Sequence, residues 1–123
     1  MKRRRLRRLA AAVTALLVLA MLWWGNNSLS TEEYTYTSER LPDGWDGARI
    51  VVLTDLHGKQ FGQDNEELLA AVAALEPDLI AITGDLISRN DTALAPAVNL
   101  AKACTEIAPV YYVTGNHERQ SSL

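Results

Sequence analysis

The chain's two histidines, His57 and His117, each stand in a short polar cluster: Thr54-Asp55-Leu56-His57-Gly58 and Thr114-Gly115-Asn116-His117-Glu118. Between them lies a third cluster, Thr83-Gly84-Asp85. Carboxylate, imidazole and carboxamide donors together form the mixed hard and borderline ligand set of divalent ions such as Mn, Fe or Zn. An aspartate between two sites can bridge paired ions, and ions about 3.5 to 4 Å apart stabilise both the attacking hydroxide and the leaving oxygen of phosphoester hydrolysis. Taken singly the clusters have bland explanations. Asp-x-His is common, Gly-Asp is usually a turn, and Asn-His-Glu can cap a helix beside a solvated histidine. Their order and their placement give them weight.

Each cluster directly follows an apolar run: Ile50-Val51-Val52-Leu53, Leu79-Ile80-Ala81-Ile82 and Val110-Tyr111-Tyr112-Val113. Runs without alternation suit strands buried on both faces of a parallel sheet. Between the first two, Asp64 reads as an N-cap with Glu67 as its reciprocal partner. Leu68, Leu69, Val72 and Leu75 repeat at helical spacing until Pro77, so the pattern predicts a helix of about eleven residues. Asp91 reads as the cap of a second helix over 92–107, with Leu94, Val98, Ala101 and Thr105 along one side and Pro96 in the first turns, where proline is tolerated. Strand, helix, strand, helix, strand with short connections specifies a parallel sheet with right-handed crossovers. The clusters then gather at the carboxyl edge of the sheet, where open α/β folds place their ligands, with Gly58, Gly84 and Gly115 allowing sharp turns. Helical cover for both faces of such a sheet is incomplete in this sequence. Further upstream, Tyr34-Thr35-Tyr36-Thr37 is β-prone and the turn-rich stretch from Leu41 to Gly47 follows it, so a strand and a loop are expected.

The chain has 123 residues, 48% of them hydrophobic, and a net charge of −3. Six of the 12 basic residues lie within the first eight positions, leaving 6 basic against 15 acidic residues, a net of −9, for the rest. So acidic a body argues against a nucleic-acid-binding face, which needs cationic groups to displace counterions. The N-terminal cations instead precede an almost wholly apolar stretch from Leu9 to Trp24. At ~1.5 Å per residue this is about 24 Å, and continuing to Leu29 completes a ~30 Å crossing. Trp23 and Trp24 suit a membrane interface, and the basic cluster sets the cytoplasmic side, which sends the body out of the cytoplasm. A cleaved signal peptide is the alternative, with Ser28-Leu29-Ser30 the nearest small-x-small site. The reading divides the chain into an anchor over 1–30 and a domain over 31–123. Cys104 cannot form an intramolecular disulfide and reads as a buried hydrophobe. A nucleotide-binding or redox domain is not indicated: no Gly-x-Gly-x-x-Gly follows the first run and no Cys-x-x-Cys exists.

With these residues in place, Asp55-Leu56-His57, Gly84-Asp85 and Gly115-Asn116-His117-Glu118 resemble the first three motifs of the calcineurin-like metallophosphoesterase family, over about residues 34–121. The stretch Thr54-Asp55-Leu56-His57-Gly58-Lys59-Gln60-Phe61-Gly62 and the hydrophobic anchor most resemble the membrane-anchored bacterial branch related to UDP-2,3-diacylglucosamine pyrophosphatases. The resemblance implies the N-terminal portion of an α/β fold, a β-sandwich flanked by helices. It also implies a hydrolase with two divalent metal ions and a phosphoester substrate, lipid-linked or nucleotide-containing. By that resemblance Asp55 and His57 bind the first metal, Asp85 bridges both, and Asn116 binds the second. His117 faces the substrate, orienting the phosphate and protonating the leaving oxygen. The family pattern continues with a further histidine and Gly-His-x-His, neither present here, so the sequence is expected to be part of a longer enzyme. The alternative is a non-catalytic membrane-anchored remnant of the same fold.

Overall fold

The computed structural model describes residues 2–121. The chain separates into two compact units, one through Tyr34 and one from Thr35 onward.

The first unit is dominated by helix α1, Lys2–Asn27, with 26 residues. Its apolar stretch has a mean hydropathy of 1.8, and none of it is buried. At ~1.5 Å per residue the helix is about 39 Å long, so by length and composition it is a candidate membrane span. It outruns the expected 9–24 core at both ends, because the arginines are good helix formers and Asn27 supports the last turn. The Asn27 side-chain amide donates to the Trp23 carbonyl at 2.7 Å, and the Ser28 N–H donates to the Trp24 carbonyl at 2.8 Å.

In the second unit, β1 (Ile50–Leu53), α2 (Glu66–Ala74), β2 (Leu79–Ile82), α3 (Ala95–Thr105), β3 (Val110–Tyr112) and α4 (Asn116–Gln120) follow one another. The strands form one parallel sheet in the order β1-β2-β3. Both crossovers step the same way across the sheet, and right-handed connections of that kind put both helices on one face. Burial agrees. Leu53, Ile80 and Ile82 share a face in register and are 8%, 0% and 0% exposed, whereas Val52 and Tyr111, in register on the other face, are 58% and 68% exposed. The expectation of strands buried on both faces is therefore corrected to one face. The core beneath it adds Leu68 and Val72 from α2, Leu100 and Cys104 from α3, and Leu86, Ile87 and Ala108 from the loops. Each fully buried aliphatic side chain contributes about 1.5–3 kcal/mol of transfer free energy.

Four further expectations need correction. Tyr34 to Thr37 forms no strand; Tyr34 and Tyr36 are exposed, so the segment lacks the half-buried face on which β-prone side chains pack. Helix α2 starts at Glu66 rather than after Asp64, which lies in a 3-10 turn over Gln63–Asn65 with a left-handed backbone. Helix α3 starts at Ala95, and Asp91 does not cap it; its carboxylate accepts the Ser88 N–H at 2.7 Å. The buried side of α3 carries Leu100 and Cys104, while Leu94 and Val98 are exposed, so the inward stripe lies a step round the helix from the expected one. Its spacing of four continues to Ala108, and the small Cys104 and Ala108 side chains let the end of α3 pack beside β3.

Candidate metal centre

All three strands end at the same sheet edge, and the chain past β1 keeps bonding to the chain past β2. The Asp55 N–H donates to the Gly84 carbonyl at 3.2 Å, the His57 N–H to the Asp85 carbonyl at 2.9 Å and the Gly58 N–H to the Leu86 carbonyl at 2.8 Å. Asp55, His57 and Asp85 each take positive φ, at 56°, 49° and 53°. Such left-handed conformations are costly for residues bearing a Cβ and cluster where surrounding structure over-determines a functional geometry.

The third cluster approaches through two glycines. A Cβ on Gly84 would lie 2.2 Å from the Gly115 nitrogen, and one on Gly115 would lie 2.1 Å from Asp85 Oδ1. Gly84 also has φ +96°, but Gly115 has φ −82°, so its requirement is close approach and not the sharp turn expected from the sequence. At this spacing Asp85 Oδ1 accepts the His117 N–H at 2.8 Å.

The result is a triad. Ligand atoms of His57, Asp85 and His117 lie within 4.8 Å of one another, and the two imidazole rings stand 4.5 Å apart between centroids. Asp55 lies beside it, with Oδ1 3.6 Å from His57 Nε2 and Oδ2 accepting the Thr54 hydroxyl at 2.8 Å. Asn116 opens α4 next to His117 and is exposed. The structure thus brings together three of the five expected residues, with Asp55 adjacent. His117, assigned by resemblance to the substrate, shares the triad with His57 and Asp85.

One participant carried no role in the sequence reading. The Glu118 carboxylate accepts four backbone N–H bonds: Oε2 from Asp85 and Gly115, each at 2.8 Å, and Oε1 from Leu86 at 2.7 Å and Ile87 at 3.3 Å. Partial burial pushes its carboxyl pKa up, and the backbone donors outweigh that and hold it below its ordinary value. A glutamate three residues after a small residue that opens a helix is the sequence signal for one of the four, the bond back to Gly115. Tyr112 stands nearby; burial, then the negative charges of Glu118 and Asp85, push its phenol pKa up and keep it neutral.

A family model for calcineurin-like phosphoesterases matches residues 48–123, all three clusters included. The chain belongs to this family. An uncharacterized metallophosphoesterase of Campylobacter jejuni is 32% identical over 95 residues, which is 76% of this chain and 25% of that protein. A Bos taurus transmembrane protein with a metallophosphoesterase domain is 35% identical over 85 residues, covering 68% of this chain and 19% of that one. An uncharacterized metallophosphoesterase of Bacillus subtilis is 35% identical over 66 residues, covering 52% and 23%. The chain therefore spans about a quarter or less of the length of these curated relatives. No solved structure matches it.

At the family level, calcineurin-like phosphoesterases are metal-dependent phosphoester hydrolases, and the residues at this edge fit a divalent cation. His117 Nδ1 is buried and has no hydrogen-bond partner in the structure, a state that an ion or a substrate group would relieve. The two imidazoles and one carboxylate of the triad are donors that first-row divalent ions accept.

Proposed function

We propose that the protein is a membrane-anchored phosphoester hydrolase working with two divalent ions, Mn, Fe or Zn. The observation that carries this reading is the triad of His57, Asp85 and His117 at the carboxyl edge of the sheet. Asp55 and His57 would hold the first ion, Asp85 would serve both, and Asn116 would serve the second. When bound, such ions supply Lewis acidity and a hydroxide nucleophile at neutral pH. The protein's own part is placement. Left-handed backbone at Asp55, His57 and Asp85 fixes their side chains on one side of the edge, and the His117 N–H bond orients the Asp85 carboxylate. His117 orients the phosphoryl group and delivers a proton to the leaving oxygen, which its place beside His57 and Asp85 favours.

The anchor is α1, spanning once, with the arginine cluster retained in the cytoplasm and the catalytic domain outside it. The first motif, Thr54 to Gly62, supports a bacterial enzyme of the branch related to UDP-2,3-diacylglucosamine pyrophosphatases, and a lipid-linked or nucleotide-containing substrate. Hydrolysis of a generic aryl phosphodiester by the intact protein should need Mn²⁺ and be lost in Asp85→Asn. Activity untouched by that substitution would remove Asp85 from the bridging position.

A further inference from the structure

Residues 85–87 present three successive backbone N–H groups to one carboxylate, that of Glu118, 31 to 33 positions along the chain. Consecutive N–H groups converging in this way form a nest, an anion-binding concavity of the kind that elsewhere receives phosphate. Here the chain fills it with its own side chain. A cap would bond only to its own helix, and of these four bonds only the one from Gly115 does so. The other three begin at Asp85, whose φ of +53° is costly for a residue with a Cβ.

From this geometry we infer that Glu118 is a positioning residue for metal binding: it holds Asp85 in its left-handed conformation and latches the loop after β2 to the loop after β3. Asp85 is thereby held twice by α4, through its own N–H on Glu118 Oε2 and through its Oδ1 on the His117 N–H. Its carboxylate is tied to the backbone that carries the His117 imidazole. Glu118 is not itself a ligand, because both of its oxygens are already taken by backbone donors. The assignment rests on the metal reading given above.

The clamp makes specific demands on chemistry. A glutamine has one acceptor oxygen, so Glu118→Gln leaves two N–H groups facing an NH₂ that cannot accept. Glu118→Asp keeps the charge and withdraws it by one methylene. Leu100→Ala, a cavity variant at a buried side chain of α3 that takes part in none of the four clamp hydrogen bonds, lowers stability while those bonds are kept.

Direct titration of the intact, detergent-solubilised protein with Mn²⁺ alone, following free Mn²⁺ by electron paramagnetic resonance, separates the outcomes. Glu118→Gln should weaken Mn²⁺ binding at least tenfold at a temperature where circular dichroism shows it folded, Glu118→Asp should weaken it less, and Leu100→Ala should leave it unchanged despite a lower Tm. Equal binding by Glu118→Gln and the unsubstituted protein overturns the inference, as does weakening by Leu100→Ala in proportion to its Tm. Failure of both Glu118 variants to fold also overturns it, since the clamp would then hold the domain and not the site. Absence of Mn²⁺ binding by the unsubstituted protein would instead sink the metal reading itself, and the inference with it.

Discussion

Asp85 and His117 illustrate how much of this site depends on single atoms. Asp85 Oδ1 is spent on the His117 N–H, and a Cβ added at Gly115 would fall 2.1 Å from that same oxygen. Gly115→Ala should therefore displace the carboxylate and raise the Mn²⁺ concentration needed for half-maximal hydrolysis, while far-ultraviolet circular dichroism stays unchanged. An unaltered Mn²⁺ requirement would mean that the loop yields without moving Asp85. His117 is tested by its leaving group. If it donates the proton, His117→Gln should cost about 10²- to 10⁴-fold on an alkyl phosphoester and far less on a nitrophenyl ester, whose oxygen departs readily as the anion. Equal losses on both would make it a ligand only. The meeting of His57, Asp85 and His117, with Asp55 beside them, was legible in the sequence because each cluster ends an apolar run; Asn116 stays exposed at the start of α4, outside the triad. The role of Glu118 was not, since three of its four partners are backbone groups that only the folded loops bring near.

At the level of elements, the strands were legible to within one residue because four consecutive apolar residues ending in a polar cluster leave little choice of boundary. Helix starts were harder. Asp64 and Asp91 have the chemistry of caps, yet Asp64 is consumed by a 3-10 turn and the Asp91 carboxylate serves Ser88 beside Gly58. In α3, small residues dominate and the apolar pattern gives no sharp stripe, so the inward side was decided by packing. Cys104 on that side is fully buried, and burial pushes its thiol pKa up. It should resist Ellman's reagent in the native protein at pH 8 and react promptly once denatured. The sign of the linkage follows: a group whose pKa is raised on folding favours the native state below its unfolded pKa of about 8.5 and loses that contribution as pH climbs past it. Between pH 8 and 10 the Tm should fall more steeply than in Cys104→Ala; parallel curves would contradict this.

For the whole molecule, the decisive feature is a sheet covered on one side. Ile50, Val52, Tyr111 and Val113 are 49%, 58%, 68% and 61% exposed, and a contiguous apolar surface of this kind promotes association. A polypeptide of residues 35–123 produced alone should bind the dye ANS and self-associate, and Val52→Lys should reduce both; a monomer with no dye binding would show that the face is satisfied in some other way. The strand order has one more consequence. Each strand pairs with the one made just before it, so the sheet can grow in the direction of synthesis, cluster by cluster: that of Asp55 and His57 first, that of Asp85 next, that of Asn116 and His117 last. The five-residue α4 follows β3, so Glu118 reaches the N–H groups of Asp85, Leu86 and Ile87 only after the third strand has been made. Until then the loop after β2 waits with three N–H groups open to water, and its left-handed turn at Asp85 is held by nothing from the loop after β3.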